Sequence, residues 1–324
     1  MTAPMSPAAG LLGDALPLNL GTNPFGWTTG EDAAHEILDA FVEAGGRLID
    51  TADVYPAWFN ERGEASEEIV GSWLARQGED LKEELVVATK GGHRVPVDSV
   101  DKERLTAAAE ASLRRLGVEA IDLYYLHKDD PEVPIDDQVE AAAGLVERGL
   151  VRRIGLSNHS PERTRAFLEA ARGTPAAPVA LQPEYNLLSR ARYERSYRPL
   201  AREFRLEVFP YKSLASGLLT GKYASREDLE GAARQGALEK AYTPDAERVL
   251  ERLRRVADVR DEEPAAIALA WLRAKGVTAP LASASRPEQL PALIEGARVT
   301  LSSSEVTTLD AASQSFARPE ESDS

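Results

Sequence analysis

Residues 47–55 read RLIDTADVY. Leu48 and Ile49 form a short apolar run that ends in a carboxylate, Asp50; small residues, a second carboxylate (Asp53) and Tyr55 follow. The pattern predicts a buried strand whose last residue opens into a loop carrying Tyr55. Three later segments repeat it: LVVATK ends at Lys90, IDLYYLH at His127, and RRIGLSN at Ser157 and Asn158. Four strands that each present a reactive residue at the same end predict a barrel with one active face.

The rhythm extends in both directions. LPLNLGT is the first strand and ends at Gly21 and Thr22. EDAAHEILDAFVEAGG then places Ala34, Ile37, Leu38, Phe41 and Val42 at helical spacing and stops at Gly45 and Gly46. Helical patterns such as ASEEIVGSWLARQ, DKERLTAAAEASLRRLG and PERTRAFLEAA separate the next strands. VALQPEYN, EVFPYKS and VTAPLAS supply strands six to eight, and a helix over ARYERSYRPLAREF lies between the first two of these. Eight strands joined by helices imply parallel pairing and right-handed crossovers. The fold class is therefore α/β, a single (β/α)₈ TIM barrel over residues 16–317 with extra helices. A flexible segment, residues 1–15, precedes it and a polar tail, 318–324, follows. An open doubly wound sheet would carry a G-x-G-x-x-G turn after its first strand, and LNLGTNPFG lacks that spacing. Residues 214 to about 243 form a long connection after strand seven, a length expected of a functional flap.

Composition narrows the partners. A net charge of −15 over 324 residues argues against nucleic acid or an anionic membrane surface as a partner. There are no cysteines, which removes disulfides and thiol nucleophiles. No second histidine stands at ligand spacing from the first, so no metal site is expected. No apolar run approaches the ~18 residues of a membrane span, and the N-terminus does not read as a signal peptide, so a cytoplasmic location is expected. A homo-oligomer stays open.

Singly, the strand-end residues are ambiguous. Asp50 reads equally as a catalytic group or a structural ion pair, since a buried carboxylate requires a partner either way. Lys90 alone reads more readily as that partner. Tyr55 alone is a loop aromatic beside Trp58 and Phe59. Next to an ammonium, however, its phenol would ionise more easily than the ordinary ~10 and could act as a general acid. His127 could donate to a developing oxyanion. SLASGLLTGK supplies Ser213, Leu214, Gly217 and Lys222, a set suited to a pyrophosphate. Ser285 and Arg286 open a helix, with Gln289 in its first turn; Arg286 there suits an adenosine 2′-phosphate.

With RLIDTADVY, VVATKGG, DLYYLH, RRIGLSN, LQPEYN, SGLLTGKY and ASRPEQL in that order, the chain resembles the aldo-keto reductase family over nearly its whole length. The resemblance implies an Asp50, Tyr55, Lys90 and His127 tetrad around NADPH/NADP+, with NADH also possible. It implies that Tyr55 is the acid, that Ser157, Asn158 and Gln182 hold the nicotinamide carboxamide, and that Tyr211 stacks on the ring. The resemblance further implies that Gly21, Thr22 and Asp50 border the same cofactor. The implied activity is NADPH-dependent reduction of a small-molecule aldehyde or ketone to an alcohol. The family also contains channel-associated regulatory subunits, so a cofactor-binding module with little turnover is the alternative. Ser283 and Leu293 depart from the family's glycine and asparagine, which bears on cofactor preference. The loop PAWFNERGEA, with Trp58, Phe59 and Arg62, together with Trp27, is expected to shape an aromatic substrate mouth.

Overall fold

The computed structural model describes residues 10–57, 63–93 and 99–318; Trp58, Phe59 and Arg62 lie outside them. Eight parallel strands pair in the order β7-β6-β5-β4-β3-β2-β1-β8. They are β1 Asn19–Gly21, β2 Leu48–Asp50, β3 Val86–Gly91, β4 Leu123–Leu126, β5 Ile154–Ser157, β6 Ala180–Gln182, β7 Glu207–Val208 and β8 Leu281–Ala282. Backbone hydrogen bonds from Thr278 N to Val208 O (2.9 Å) and from Leu281 N to Pro210 O (3.0 Å) link the two outer strands, so the sheet closes on itself. This is the (β/α)₈ barrel that the strand and helix alternation predicts.

The strands read as unbroken apolar runs because both faces are buried, as expected of a parallel sheet covered by helices. Alternate residues point to opposite sides. Leu48, Val86, Ala88, Leu123, Tyr125, Ala180 and Phe209 form the inner cluster, whereas Leu20, Ile49, Val87, Tyr124, Ile154 and Leu156 pack outward against the helices. The inward rows continue to the C-terminal end, where they deliver Asp50, Lys90, Ser157 and Gln182. At the N-terminal end the barrel is plugged by the segment before β1. Leu11 is 5% exposed within the inner cluster, and its N–H donates to Glu207 Oε1 at 2.6 Å.

Two departures from the sequence reading have local causes. The helix expected across 191–204 is a π turn, Tyr193–Tyr197, followed by an α-helix, Arg198–Glu203. Pro199 offers no N–H to the preceding turn, and the coil widens just before it. Helix Pro244–Arg260 was not anticipated, although Thr243 caps it through a hydrogen bond from Ala246 N. Its apolar residues Ala246, Val249, Leu250, Leu253, Val256 and Ala257 recur at helical spacing. The connection after β7 is less irregular than its length suggested. It holds helical turns at Ala215–Thr220 and Glu227–Leu229 and a short helix at Gln235–Ala241, with Leu218, Leu219, Leu229 and Leu238 buried beneath.

Candidate active site

Asp50 ends β2 and faces into the barrel, two residues along the pleat from Leu48. The chain then continues beside β3, with Thr51 N donating to Ala88 O (2.9 Å) and Asp53 N to Lys90 O (3.1 Å), before turning at Tyr55. That path lays the Tyr55 ring over Lys90, whose Nζ is 4.8 Å from the ring centroid and donates to Tyr55 Oη at 3.3 Å. Lys90 is 0% exposed. Its ammonium is bonded to Asp50 Oδ1 and donates to Thr51 O at 2.9 Å. The other oxygen, Asp50 Oδ2, accepts from Gln182 Nε2 at 2.8 Å. Both carboxylate oxygens are therefore satisfied, as an ion pair this deep requires.

His127 follows β4, and its backbone N–H donates to Gly91 O at 2.9 Å, which fixes it beside the end of β3. Its ring stands edge-on to Tyr55, with centroids 5.9 Å apart, and to His93 at 5.2 Å. Its Nδ1 is buried without a hydrogen-bond partner among the described residues. The structure thus brings together all four residues of the expected tetrad.

The electrostatics follow from burial against charge. Burial opposes the charge on Lys90, but the Asp50 carboxylate and Tyr55 outweigh it and hold the ammonium above its ordinary value. Burial raises the Tyr55 phenol, and the lowering by Lys90 does not cancel it. The sequence reading expected the ammonium to dominate and pull Tyr55 down. Desolvation of the phenolate proves the larger effect, so Tyr55 keeps its proton at neutral pH. Burial first, then the charges of Lys90 and His93, push His127 well below its usual value, and the imidazole is neutral.

The residues expected to hold a cofactor form a shelf across β5, β6 and the segment after β7. Asn158, in the left-handed region at φ 53, donates from Nδ2 to His127 O (2.9 Å) and Ser157 Oγ (3.1 Å). Its Oδ1 accepts from the Tyr211 hydroxyl at 2.9 Å, and Ser157 Oγ donates to Gln182 O at 3.0 Å. The shelf is braced through Gln182 to Asp50. Thr22 is placed differently from expectation: it is fully buried, with its hydroxyl donating to Asp50 O (3.0 Å) and lying 2.7 Å from Ser66 Oγ. It shapes the floor under Asp50. Gly21 faces β8, where a Cβ would lie 2.6 Å from Ser283 Oγ.

Beyond the shelf, Ala215, Ser216 and Gly217 all have positive φ (47, 59 and 104°), a backbone conformation rare for non-glycine residues. The N–H groups of Ala215 and Gly217 already donate to Lys212 O (2.7 Å) and Leu214 O (2.8 Å), so the turn's backbone offers an anion little. Lys222 Nζ stands beside Gly217, 3.4 Å from where a Cβ would be, and supplies positive charge there. Ser213 donates its hydroxyl to Pro210 O at 2.8 Å and is buried, whereas Leu214 packs in the outer core. After β8, Ser285 N donates to Gln289 Oε1 at 2.8 Å, and Pro287 has no N–H. The backbone at this helix start therefore offers less to an anion than its sequence suggested, and the exposed Arg286 carries the charge. Leu293 is 3% exposed and belongs to the core. One residue that sequence reasoning passed over also reaches the site. Arg234, from the long connection after β7, lies over Trp27 with its guanidinium carbon 5.4 Å from the ring centroid.

A (β/α)₈ barrel carrying a buried lysine–carboxylate pair, a tyrosine and a neutral histidine at one mouth defines a class of barrel oxidoreductase. The Aldo/keto reductase family model matches residues 17–314, and the chain belongs to that family. Among curated relatives, "L-glyceraldehyde 3-phosphate reductase" of Escherichia coli (strain K12) is 31% identical over 314 residues, covering 93% of this chain and 89% of that protein. "Aldo-keto reductase YhdN" of Bacillus subtilis (strain 168) is 33% identical over 304 residues, covering 90% and 87%. A "Putative voltage-gated potassium channel subunit beta" of Schizosaccharomyces pombe is 30% identical over 287 residues, covering 82% and 80%. Membership supports carbonyl reduction as the general activity. Among the described residues, no helix is long and apolar enough to cross a membrane.

Proposed function

We propose that the protein reduces an aldehyde or ketone to an alcohol with NADPH, and that Tyr55 is the general acid. The contact of Lys90 Nζ with Tyr55 Oη at 3.3 Å carries this reading. The residues present suit a nicotinamide dinucleotide. Tyr211 offers a flat aromatic face, and Asn158 and Gln182 offer amide chemistry. Lys222 beside Gly217 suits a diphosphate, and Arg286 suits a 2′-phosphate, with Ser213, Ser285 and Gln289 alongside. When bound, such a cofactor supplies the hydride.

The chain's own residues handle the proton. Tyr55 enters the reaction neutral and gives its phenolic proton to the carbonyl oxygen as that oxygen gains charge. The phenolate left behind lies against the Lys90 ammonium, which Asp50 keeps charged. A neutral imidazole at His127 is a hydrogen-bond donor that orients the carbonyl without competing for the proton. A proton from solvent restores Tyr55 for the next turnover. The name of the Escherichia coli relative points to small aldehydes, phosphorylated ones included, as the substrates to test first.

Replacing Tyr55 with Phe removes only the hydroxyl. It is expected to leave NADPH binding, measured by fluorescence titration, close to the wild-type value and to lower kcat by about 10²- to 10⁴-fold. Undiminished turnover refutes the assignment. Wild-type protein that binds NADPH yet turns over no carbonyl in a broad aldehyde panel would favour the regulatory-module reading instead.

A further inference from the structure

Tyr55 stands outside the strands, so its position is fixed by something other than the sheet. Thr51 N and Asp53 N follow β3, and Tyr55 N then donates to Ala52 O at 3.2 Å in a local turn. The Tyr55 carbonyl in its turn accepts from Ser66 N at 3.1 Å. Ser66 is the second residue of the helix Ala65–Leu74, where backbone N–H groups have no partner within the helix. The start of that helix thus caps the loop that carries the tyrosine.

The Ser66 side chain does not serve its own helix. A serine in a first turn commonly bonds to the backbone near it. Here the hydroxyl turns to the strand ends instead: it donates to Thr22 O at 2.9 Å and lies 2.7 Å from Thr22 Oγ1 and 2.9 Å from Thr51 Oγ1. Thr22, Thr51 and Ser66 are all 0% exposed. With Thr22 donating to Asp50 O, the Thr51 hydroxyl is left to donate to Ser66 Oγ. All three hydrogens are then used, as burial requires. Each segment in this knot carries part of the chemistry. Thr22 grips the Asp50 carbonyl, Thr51 O accepts from Lys90 Nζ at 2.9 Å, and Ser66 N holds the Tyr55 carbonyl. Alanine and valine would fill similar space without desolvating three hydroxyls. A satisfied polar network instead fixes one geometry.

We propose that Ser66 is a positioning residue for the proton transfer: its N–H and hydroxyl tie the Tyr55 loop to Thr22 and Thr51, and so hold the Tyr55 hydroxyl against the Lys90 ammonium. The inference rests on Tyr55 as the general acid and adds the residues that set its place. Ser66 is fully buried and acts through the backbone of Tyr55 and through Thr51, whose carbonyl orients Lys90. Loosening the knot therefore acts on turnover, whereas binding of substrate and cofactor is left nearly as it was.

The test measures glyceraldehyde reduction with NADPH by wild type, Ser66→Ala, Thr51→Val and Thr51→Ser. Ser66→Ala and Thr51→Val are expected to lower kcat by about 10- to 100-fold, the loss that a small misplacement of a reacting group causes. KM and the NADPH dissociation constant should stay within about 3-fold. Thr51→Ser restores the hydroxyl and should recover most of the kcat that Thr51→Val loses. Ser313→Ala is the control. It removes an equally buried hydroxyl, bonded to Leu309 O and Arg190 after the helix Ser303–Ala312, and should lower the urea midpoint without lowering kcat. A kcat for Ser66→Ala within about 3-fold of wild type overturns the proposal. So does an equal loss in Ser313→Ala, in Thr51→Ser as in Thr51→Val, or in NADPH affinity. Crystal structures of wild type and Ser66→Ala with NADP+ give a readout independent of turnover. The Lys90 Nζ to Tyr55 Oη distance, 3.3 Å in the intact knot, should lengthen past about 3.5 Å in the variant. That result supports the positioning role even if no aldehyde is reduced, which would refute the reductase reading alone. An unchanged distance overturns it.

Discussion

Replacing Lys90 with Met, which fills similar space without the charge, isolates the ion pair at the centre of the site. In the wild-type protein, burial pushes the Asp50 carboxyl up, while Lys90, and to a smaller extent the Gln182 hydrogen bond, pull it back. Without Lys90, burial acts against Gln182 alone, and the folded-state value rises further above the unfolded value of 3.8. Folded Asp50 then holds a proton that the unfolded chain has released. A group with a raised folded-state value contributes stability at low pH that is lost as pH rises through the interval between the two values. The variant should therefore lose up to about 1.4 kcal/mol per pH unit across that interval. At neutral pH its deficit against wild type should reach about 3–5 kcal/mol, the usual cost of breaking a buried pair by removing one partner. Urea unfolding of both proteins at about pH 5 and about pH 7 measures the difference, which should shrink on acidification. Adding Asp50→Asn should recover much of the loss at pH ~7, because no buried charge remains. A deficit that does not vary with pH, or one below about 1 kcal/mol, refutes the reasoning.

His127 gives a stability effect of the opposite sign. Its folded-state value lies well below 6.5, so below that pH the unfolded chain takes up a proton that the folded protein refuses, and stability is lost as pH falls. His127→Leu should remove up to about 1.4 kcal/mol per pH unit of that acid sensitivity, read from unfolding midpoints between about pH 6.5 and about pH 5. An unchanged acid slope would count against a neutral, buried His127. For the cofactor, Arg286→Ala should raise the NADPH dissociation constant about 10-fold or more and leave that of NADH within about 3-fold. Equal effects on the two would remove Arg286 from 2′-phosphate recognition.

The barrel was legible in the sequence because each strand is short, apolar on both faces and followed by an amphipathic helix, a local pattern that only a covered parallel sheet accommodates. Asp50, Lys90 and His127 were legible for the same reason: a polar residue ending a buried run stands out against its neighbours. Tyr55 was harder, since it lies five residues past Asp50 and reaches Lys90 only because the chain after β2 runs on along β3. The direction of its titration was beyond the sequence altogether. Whether the ammonium or desolvation wins depends on how much water the fold removes, and no residue pattern records that. Helix Pro244–Arg260 shows the reverse case, a legible signal of cap, proline and apolar spacing that follows directly on the long connection and that the strand and helix alternation did not require.

The sequence by itself determined the order of strands and helices, the end of the barrel at which chemistry would gather, and the identities of the tyrosine, lysine, aspartate and histidine. Tertiary structure alone decided what each of those groups is bonded to. It made Gln182 a brace for Asp50, turned Thr22 inward to the floor of the site, sent Leu293 into the core and brought Arg234 over Trp27. The division has a physical origin. Periodicity and burial are properties of neighbouring residues in the chain, whereas a charge acquires its partner, and its ionisation, from residues that closure of the barrel brings alongside it.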